Sequence, residues 1–141
     1  MACCKSLAHI HKSRLSLRIS GDSFLPDETT ELLGASPTFC HAKGEEKRSS
    51  KTGRLRIARS GIWLLSVDER SPEYVDAQRR ELFDQLADDL ETWENIYENY
   101  SADLFVGLFM PGSNEGLTIS SSVMKRIADR RLENWIRRLR R

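Results

Sequence analysis

The chain of 141 residues carries 22 Lys plus Arg against 21 Asp plus Glu, with three His, three Cys and 39% hydrophobic residues. That length suits one domain, which buries about 68–70% of the surface its unfolded chain exposes. The composition is that of a globular protein, no apolar run approaches the ~18 residues of a membrane span, and a formal charge of +1 argues against a uniformly basic nucleic-acid binder or an acidic tail protein.

Met1 to Arg14 contains no acid and shows no strong periodicity. It reads as a mobile N-terminal extension (1–14) preceding a single α+β domain (15–141). Lys5, His9, His11 and Lys12 leave no apolar stretch of the ~7 residues a secretory signal needs. The Cys3–Cys4 pair lacks the acceptor glycine or flanking membrane helix of a lipid anchor. A cytoplasmic location follows as the expectation.

Leu15, Leu17 and Ile19 alternate with Ser16, Arg18 and Ser20, the period of a half-buried strand that Gly21-Asp22 closes. Pro26 to Gly34 has the marks of a short helix: proline at the start, acids in the first turn, glycine after Leu32-Leu33. Pro37 blocks helical continuation and favours an extended path from Thr38 to Lys43. Glu45 to Thr52 is polar throughout and reads as a solvated loop, with Leu55 and Ile57 leading into a strand. Ile62 to Val67 is apolar and β-branched at both ends, which suits a central strand buried on both faces.

Ser71 and Pro72 mark the start of a helix whose apolar positions Val75, Leu82, Leu86, Leu90, Trp93, Tyr97 and Tyr100 keep helical spacing, so Pro72 to Tyr100 reads as one long amphipathic helix. Ala102 to Met110 is a strand interrupted at Gly107, Pro111 to Asn114 a turn, and Gly116 to Ser120 a short last strand. Ser121 or Ser122 then caps a C-terminal helix with Met124, Ile127, Ala128, Leu132, Trp135, Ile136 and Leu139 on its apolar face. This order predicts an α+β two-layer sandwich: a ferredoxin-like (split βαβ) core with an added short strand and C-terminal helix.

Leu17-Arg-Ile-Ser-Gly21, Leu32-Leu-Gly-Ala-Ser-Pro37, Lys43-Gly44 and Gly61-Ile-Trp-Leu-Leu-Ser66 together resemble a bacterial family of small α+β proteins catalogued only as a domain of unknown function. The resemblance spans about residues 15 to 132. It departs at Thr29 and Thr30, where the family's first helix is more apolar, and at Leu132 to Arg141, where a basic helical tail replaces an expected terminal strand. The family brings no catalytic residues. Gly21, Gly34, Gly44 and Gly61 fit turns or a helix C-cap that want positive φ, Pro37 a helix stop, and Trp63 a core anchor. A pattern built from glycine, proline and tryptophan specifies a fold rather than a reaction.

Catalysis and cofactors find no motif: there is no G-x-S-x-G, Walker loop or G-x-G-x-x-G. All Cys and His (Cys3, Cys4, Cys40, His9, His11, His41) fall in the first 41 residues, but without C-x-x-C or H-x-x-x-H spacing, so zinc is a remote reading. Cys40 and His41 should face opposite sides of a strand.

Charge segregation points to a partner. Glu73 to Glu98 holds nine acids and two arginines, net −7, and Lys125 to Arg141 holds eight basic residues and two acids, net +6. Three readings stand: the two faces neutralise one another; an acidic surface with Asp84, Asp88 and Glu91 meets a basic protein partner; or an anionic surface or nucleic acid is bound by Arg130, Arg131, Arg137 and Arg138 together with Lys47, Arg48, Lys51, Arg54 and Arg56. By analogy with small domains that act as inhibitors or immunity-type antidotes, the expectation is a non-catalytic protein-binding module.

Overall fold

The computed structural model describes residues 12–23, 25–71, 73–110 and 116–139. The chain runs β1 (Lys12–Gly21), α1 (Pro26–Leu33), β2 (Phe39–His41), β3 (Glu46–Arg48), β4 (Leu55–Ile57), β5 (Gly61–Ser66), α2 (Val75–Asp84), α3 (Leu90–Asn99), β6 (Ser101–Phe109), α4 (Ser121–Asp129) and β7 (Glu133–Leu139). Five strands form one sheet in the order β2-β5-β1-β6-β7, and β3 and β4 form a separate two-stranded ribbon.

Within the sheet β1 runs antiparallel to β5 and β6, β2 antiparallel to β5, and β7 parallel to β6. β1 and β2 therefore run the same way with β5 between them, and β5 and β6 the same way with β1 between them. Leu15, Leu17 and Ile19 of β1 lie beside Trp63 and Leu65 of β5 and beside Leu104 and Val106 of β6, and all are buried. This face packs against Leu33, Leu82, Phe83, Trp93, Ile96, Val123 and Ile127 of the four helices in one core. The opposite face is lined by Ser16, Arg18, Ser66, Asp103 and Phe105 and is only partly covered. The result is a mixed α+β, two-layer arrangement.

Several elements form as their sequence dictates. Pro26 opens α1, and Gly34 ends it at φ 73°, a left-handed position where a Cβ would be strained, with its N–H donating to the Thr30 carbonyl. Thr30, polar where the resemblance leads one to expect an apolar residue, accepts the Trp63 Nε1 hydrogen at 3.1 Å and donates to the Pro26 carbonyl. A buried indole needs such an acceptor.

Other expectations are corrected. Lys12 to Arg14 belong to β1 rather than to an extension. Ser13 is buried among them because its hydroxyl donates to Gln78 Oε1 and its carbonyl accepts from Gln78 Nε2 at 3.1 Å. A satisfied buried serine breaks the apolar alternation without breaking the strand. β5 is buried on one face only: Gly61, Trp63 and Leu65 are buried, whereas Ile62, Leu64 and Ser66 are half-exposed. Glu46 to Arg48 is a strand, not a solvated loop, because it pairs with Leu55 to Ile57.

The single long helix is two helices. α2 begins at Val75, after Tyr74 rather than Ser71, and Pro72 lies outside the described residues. At its end Gln85 and Leu86 make tighter bonds to the Leu82 and Phe83 carbonyls, and Ala87 N–H leaves the helix for the Leu33 carbonyl at 2.9 Å. Asp89 then caps α3, accepting from Glu91 N–H at 3.1 Å and from the Thr92 hydroxyl at 3.3 Å. α2 buries Val75, Leu82 and Phe83 and α3 buries Trp93 and Ile96 in the same core, whereas Leu90 and Tyr97 of the expected stripe are exposed.

Gly116 to Ser120 forms no strand, and Ser120, not Ser121 or Ser122, caps α4 by accepting Val123 N–H at 3.3 Å. The C-terminal helix stops at Asp129. Arg131 adopts φ 53°, Arg131 N–H and Leu132 N–H bond back to Ala128 and Ile127, and Glu133 to Leu139 continues as β7. The terminal strand is thus present. The exposed flank of β6 supplies a full ladder of backbone partners, which outweighs the helix preference of an arginine-rich segment. Pro111 to Asn114, Arg140 and Arg141 lie outside the described residues.

Candidate functional site

The acidic and basic helices meet each other. Asp84 pairs with Arg126 at 3.1 Å, Asp88 with Arg130 at 3.1 Å, and Glu94 with Arg131 at 3.2 Å. Arg130 is buried; its guanidinium lies 4.9 Å from the Phe83 ring centroid and 5.7 Å from that of Trp93. Burial pushes its pKa down, as does neighbouring Arg126, while Asp88 pulls it back up. Arg131 stacks on Tyr97 at 4.8 Å. Of the acidic candidates, only Glu91 has no ion pair among the described residues. Arg130 and Arg131 belong to this internal contact, whereas Arg137 and Arg138 sit on β7 and point to opposite sides of the sheet. The four arginines do not form one surface.

The ribbon behaves differently. Glu45 to Arg59 contains six basic residues and two acids, net +4. None of Lys47, Arg48, Lys51, Arg54, Arg56 and Arg59 enters an ion pair among the described residues. Lys47 lies directly across the ribbon from Arg56, a like-charge pair that destabilises a bare hairpin. The loop is built locally. Ser49 accepts from Lys51 and Thr52 N–H at 3.3 Å each, and Gly53 turns the chain at φ 67°. The base of the ribbon is tied down by Gly44 N–H to the Ala58 carbonyl and Ala58 N–H to the Glu45 carbonyl.

Between this ribbon and the open face of the β2–β5 sheet edge lies a cleft of about 760 Å³. Its lining includes Phe39, His41, Lys47, Arg56, Arg59 and Ile62. Register places Phe39 and His41 on the open face beside Leu64 and Ile62, and Cys40 on the core face beside Trp63, so Cys40 and His41 do face opposite ways. Phe39 is 44% exposed, with Lys47 Nζ 4.2 Å above its ring and its edge against His41 at 5.4 Å. His41 Nδ1 is shielded from solvent and has no hydrogen-bond partner among the described residues. A second hollow of about 730 Å³ on the ribbon shares Lys47 and Arg56. Lys47, Arg56 and Arg59 around an apolar, aromatic floor, against one carboxylate, Glu45, suit a ligand that is both planar and anionic.

Over β1 and its neighbours the open face carries paired charges. Arg18 makes two bonds to Asp103 at 2.7 and 2.8 Å, which raises the guanidinium's pKa, and it lies 4.9 Å from the Phe105 ring. Glu69 accepts from Arg14 and Lys12, and those bonds, Arg14's first, hold its carboxyl below the ordinary range.

The family model described as Domain of unknown function (DUF4279) matches residues 11–139. The chain belongs to that family. No curated protein and no solved structure matches it. The match runs through β7, so the terminal strand is part of the DUF4279 domain and not an appended tail.

In this DUF4279 domain the motif residues are structural. Trp63 is fully buried, Gly34 and Gly44 take positive φ, and Pro37 precedes the extended entry to β2, where Thr38 N–H bonds to the Leu64 carbonyl at 2.7 Å. Gly21 and Gly61 are not left-handed; they face each other where β1 and β5 meet. Among the described residues no group of three His, Cys, Asp or Glu stands close enough to hold a metal; Cys3, Cys4, His9 and His11 lie outside them. Phe39 and Arg59 were missed as site residues. Nothing in the linear order joins them to Lys47 until the ribbon folds over β2.

Proposed function

We propose that this domain is a non-catalytic binding module for single-stranded nucleic acid, held along the β3–β4 ribbon with a base stacked in the cleft. The observation that carries this reading is that the ribbon's six cations have no ion pair among the described residues, whereas Arg126, Arg130 and Arg131 are each spent on an acid of α2, α3 or the link between them. The exposed Phe39 ring, with Lys47 Nζ over one face, puts an aromatic surface next to phosphate-binding charge. Protein binding through Asp84, Asp88 and Glu91 has less support, because the first two carboxylates already have partners. Protein binding elsewhere, on an inhibitor or immunity pattern, rests on analogy.

Fluorescence anisotropy with a labelled 12-nucleotide oligo(dT), its duplex and an acidic peptide tests the proposal. Four phosphate contacts, matching the ribbon's net charge, give a log–log salt slope of about −2.8 for a single strand. Lys47→Glu and Arg56→Glu should each weaken binding about tenfold or more and flatten that slope. Phe39→Ala should cost about 1–3 kcal/mol, or roughly 5- to 150-fold. Absence of binding at low salt, ribbon variants that bind like the parent, or an equal affinity for the acidic peptide would each overturn it.

A further inference from the structure

The sheet has two edges of unlike character. The β2 edge is three residues long, follows Pro37 closely and is flanked by the ribbon. The β7 edge is seven residues long, contains no proline, and leaves one flank of its backbone without a neighbouring strand among the described residues. It exposes a large apolar side chain on each side, Trp135 at 58% and Ile136 at 49%. An edge of this kind is a template for strand addition.

The charges along β7 say which strand fits. Glu133 stands two residues before Trp135 and Arg137 two residues after it, all on one face of the strand. Neither charge has an ion-pair partner among the described residues. Glu133 also sits in register beside Asp103, a like charge. If a second β7 approached antiparallel about a two-fold axis at Trp135, each Glu133 would lie opposite Arg137 of the other copy, and the two Trp135 side chains would face one another. Phe105, in register with Trp135, would extend this aromatic row into each sheet.

We infer that the protein pairs with a second copy of itself through β7, joining the two five-stranded sheets edge to edge. The interface is isologous, the same residues serving both sides, as a two-fold dimer requires. The inference is independent of the ribbon, which lies at the opposite edge of the sheet and would be duplicated at the two ends of the assembly.

Sedimentation velocity and light scattering of the full chain across about 1–200 µM give the test. The expected mass is that of a dimer. Glu133→Arg and Arg137→Glu each turn two attractive pairs into repulsive ones and should weaken association about tenfold or more, while the double swap restores it. Trp135→Cys, oxidised and mapped by peptide mass spectrometry, should give a disulfide linking the two substituted positions, since directly opposed antiparallel residues fall within bridging distance. A monomer throughout the range would overturn the inference. So would single swaps that dimerise like the parent, a double swap that stays dissociated, or oxidation that links position 135 to no second copy.

Discussion

Arg79 is a charged side chain with no exposed surface, and its two terminal nitrogens, though not Nε, find hydrogen-bond partners among the described residues. Its guanidinium donates to Asp76 Oδ1 at 3.3 Å and to Asn134 Oδ1 at 2.8 Å, tying α2 to β7. Burial lowers its pKa, and the charge of Asp76 acts in the opposite direction. The second oxygen of Asp76 accepts the N–H of Ser120, the cap of α4, at 2.7 Å. Asp76→Ala therefore removes a counter-charge from a fully buried cation and leaves a helix-cap N–H without its partner. Removing one member of a buried pair costs about 3–5 kcal/mol, a large share of a total stability of about 5–15 kcal/mol. The melting temperature should fall by roughly 6–20 °C at about 2–4 °C per kcal/mol. Adding Arg79→Met to Asp76→Ala removes the stranded charge, so the double variant should be more stable than Asp76→Ala alone by about 1–3 kcal/mol. Urea denaturation followed by the fluorescence of buried Trp63 and Trp93 measures both, with an unchanged slope showing that stability alone has moved. An Asp76→Ala cost below about 1 kcal/mol, or a double variant no more stable than Asp76→Ala, would refute the reasoning.

The same physics gives two further expectations. A Cβ at Gly107 would run into Leu139 Cδ1, the end of a half-buried side chain, and lie 3.3 Å from Phe105 Cε1, so Gly107→Ala should destabilise by about 1 kcal/mol in thermal melts, and Leu139→Ala in the same chain should recover part of the loss. Glu69 titrates below its ordinary value of about 4.3 because of its bonds to Arg14 and Lys12. A lowered folded-state pKa contributes stability above the unfolded value and loses it as pH falls through the folded one. Carbon-detected NMR titration should show that low midpoint, and Arg14→Ala should move it upward.

Elements whose signals were local could be read from the chain. β1 and α1 announce themselves through alternation and through proline and glycine at the ends, and β6 through a strand-length apolar run. The break between α2 and α3 was hidden because Leu82, Leu86, Leu90 and Trp93 keep helical spacing across it. The signal that could have revealed it was Asp89 with Thr92, a cap in the middle of an apparent helix. β7 reads as helix in the sequence because its arginines favour helix and its partner strand, β6, lies some thirty residues earlier in the chain. The charge pairing was illegible for the same reason: Asp84 and Arg126 are 42 residues apart. Their net values predicted two binding surfaces where folding places much of the opposing charge in contact.

That cancellation is what makes the ribbon informative. Folding brings Asp84, Asp88 and Glu94 within ion-pair distance of Arg126, Arg130 and Arg131, so opposite charges on this chain are brought together where packing allows. On the ribbon they are not. Lys47 and Arg56 stay opposed across a hairpin that has only two strands and is marginal by itself in water. Its hold on the body comes from a few contacts at its base, among them Lys47 Nζ to the Cys40 carbonyl at 3.3 Å and Ala42 N–H to Glu45 Oε2 at 2.9 Å. Under the proposed function, an anion bound between Lys47 and Arg56 would remove their repulsion and add charge-assisted bonds to both strands at once. Ribbon stability and anion affinity are then two sides of one equilibrium: whatever binds the ordered ribbon more tightly than the frayed one stabilises it by the same free energy.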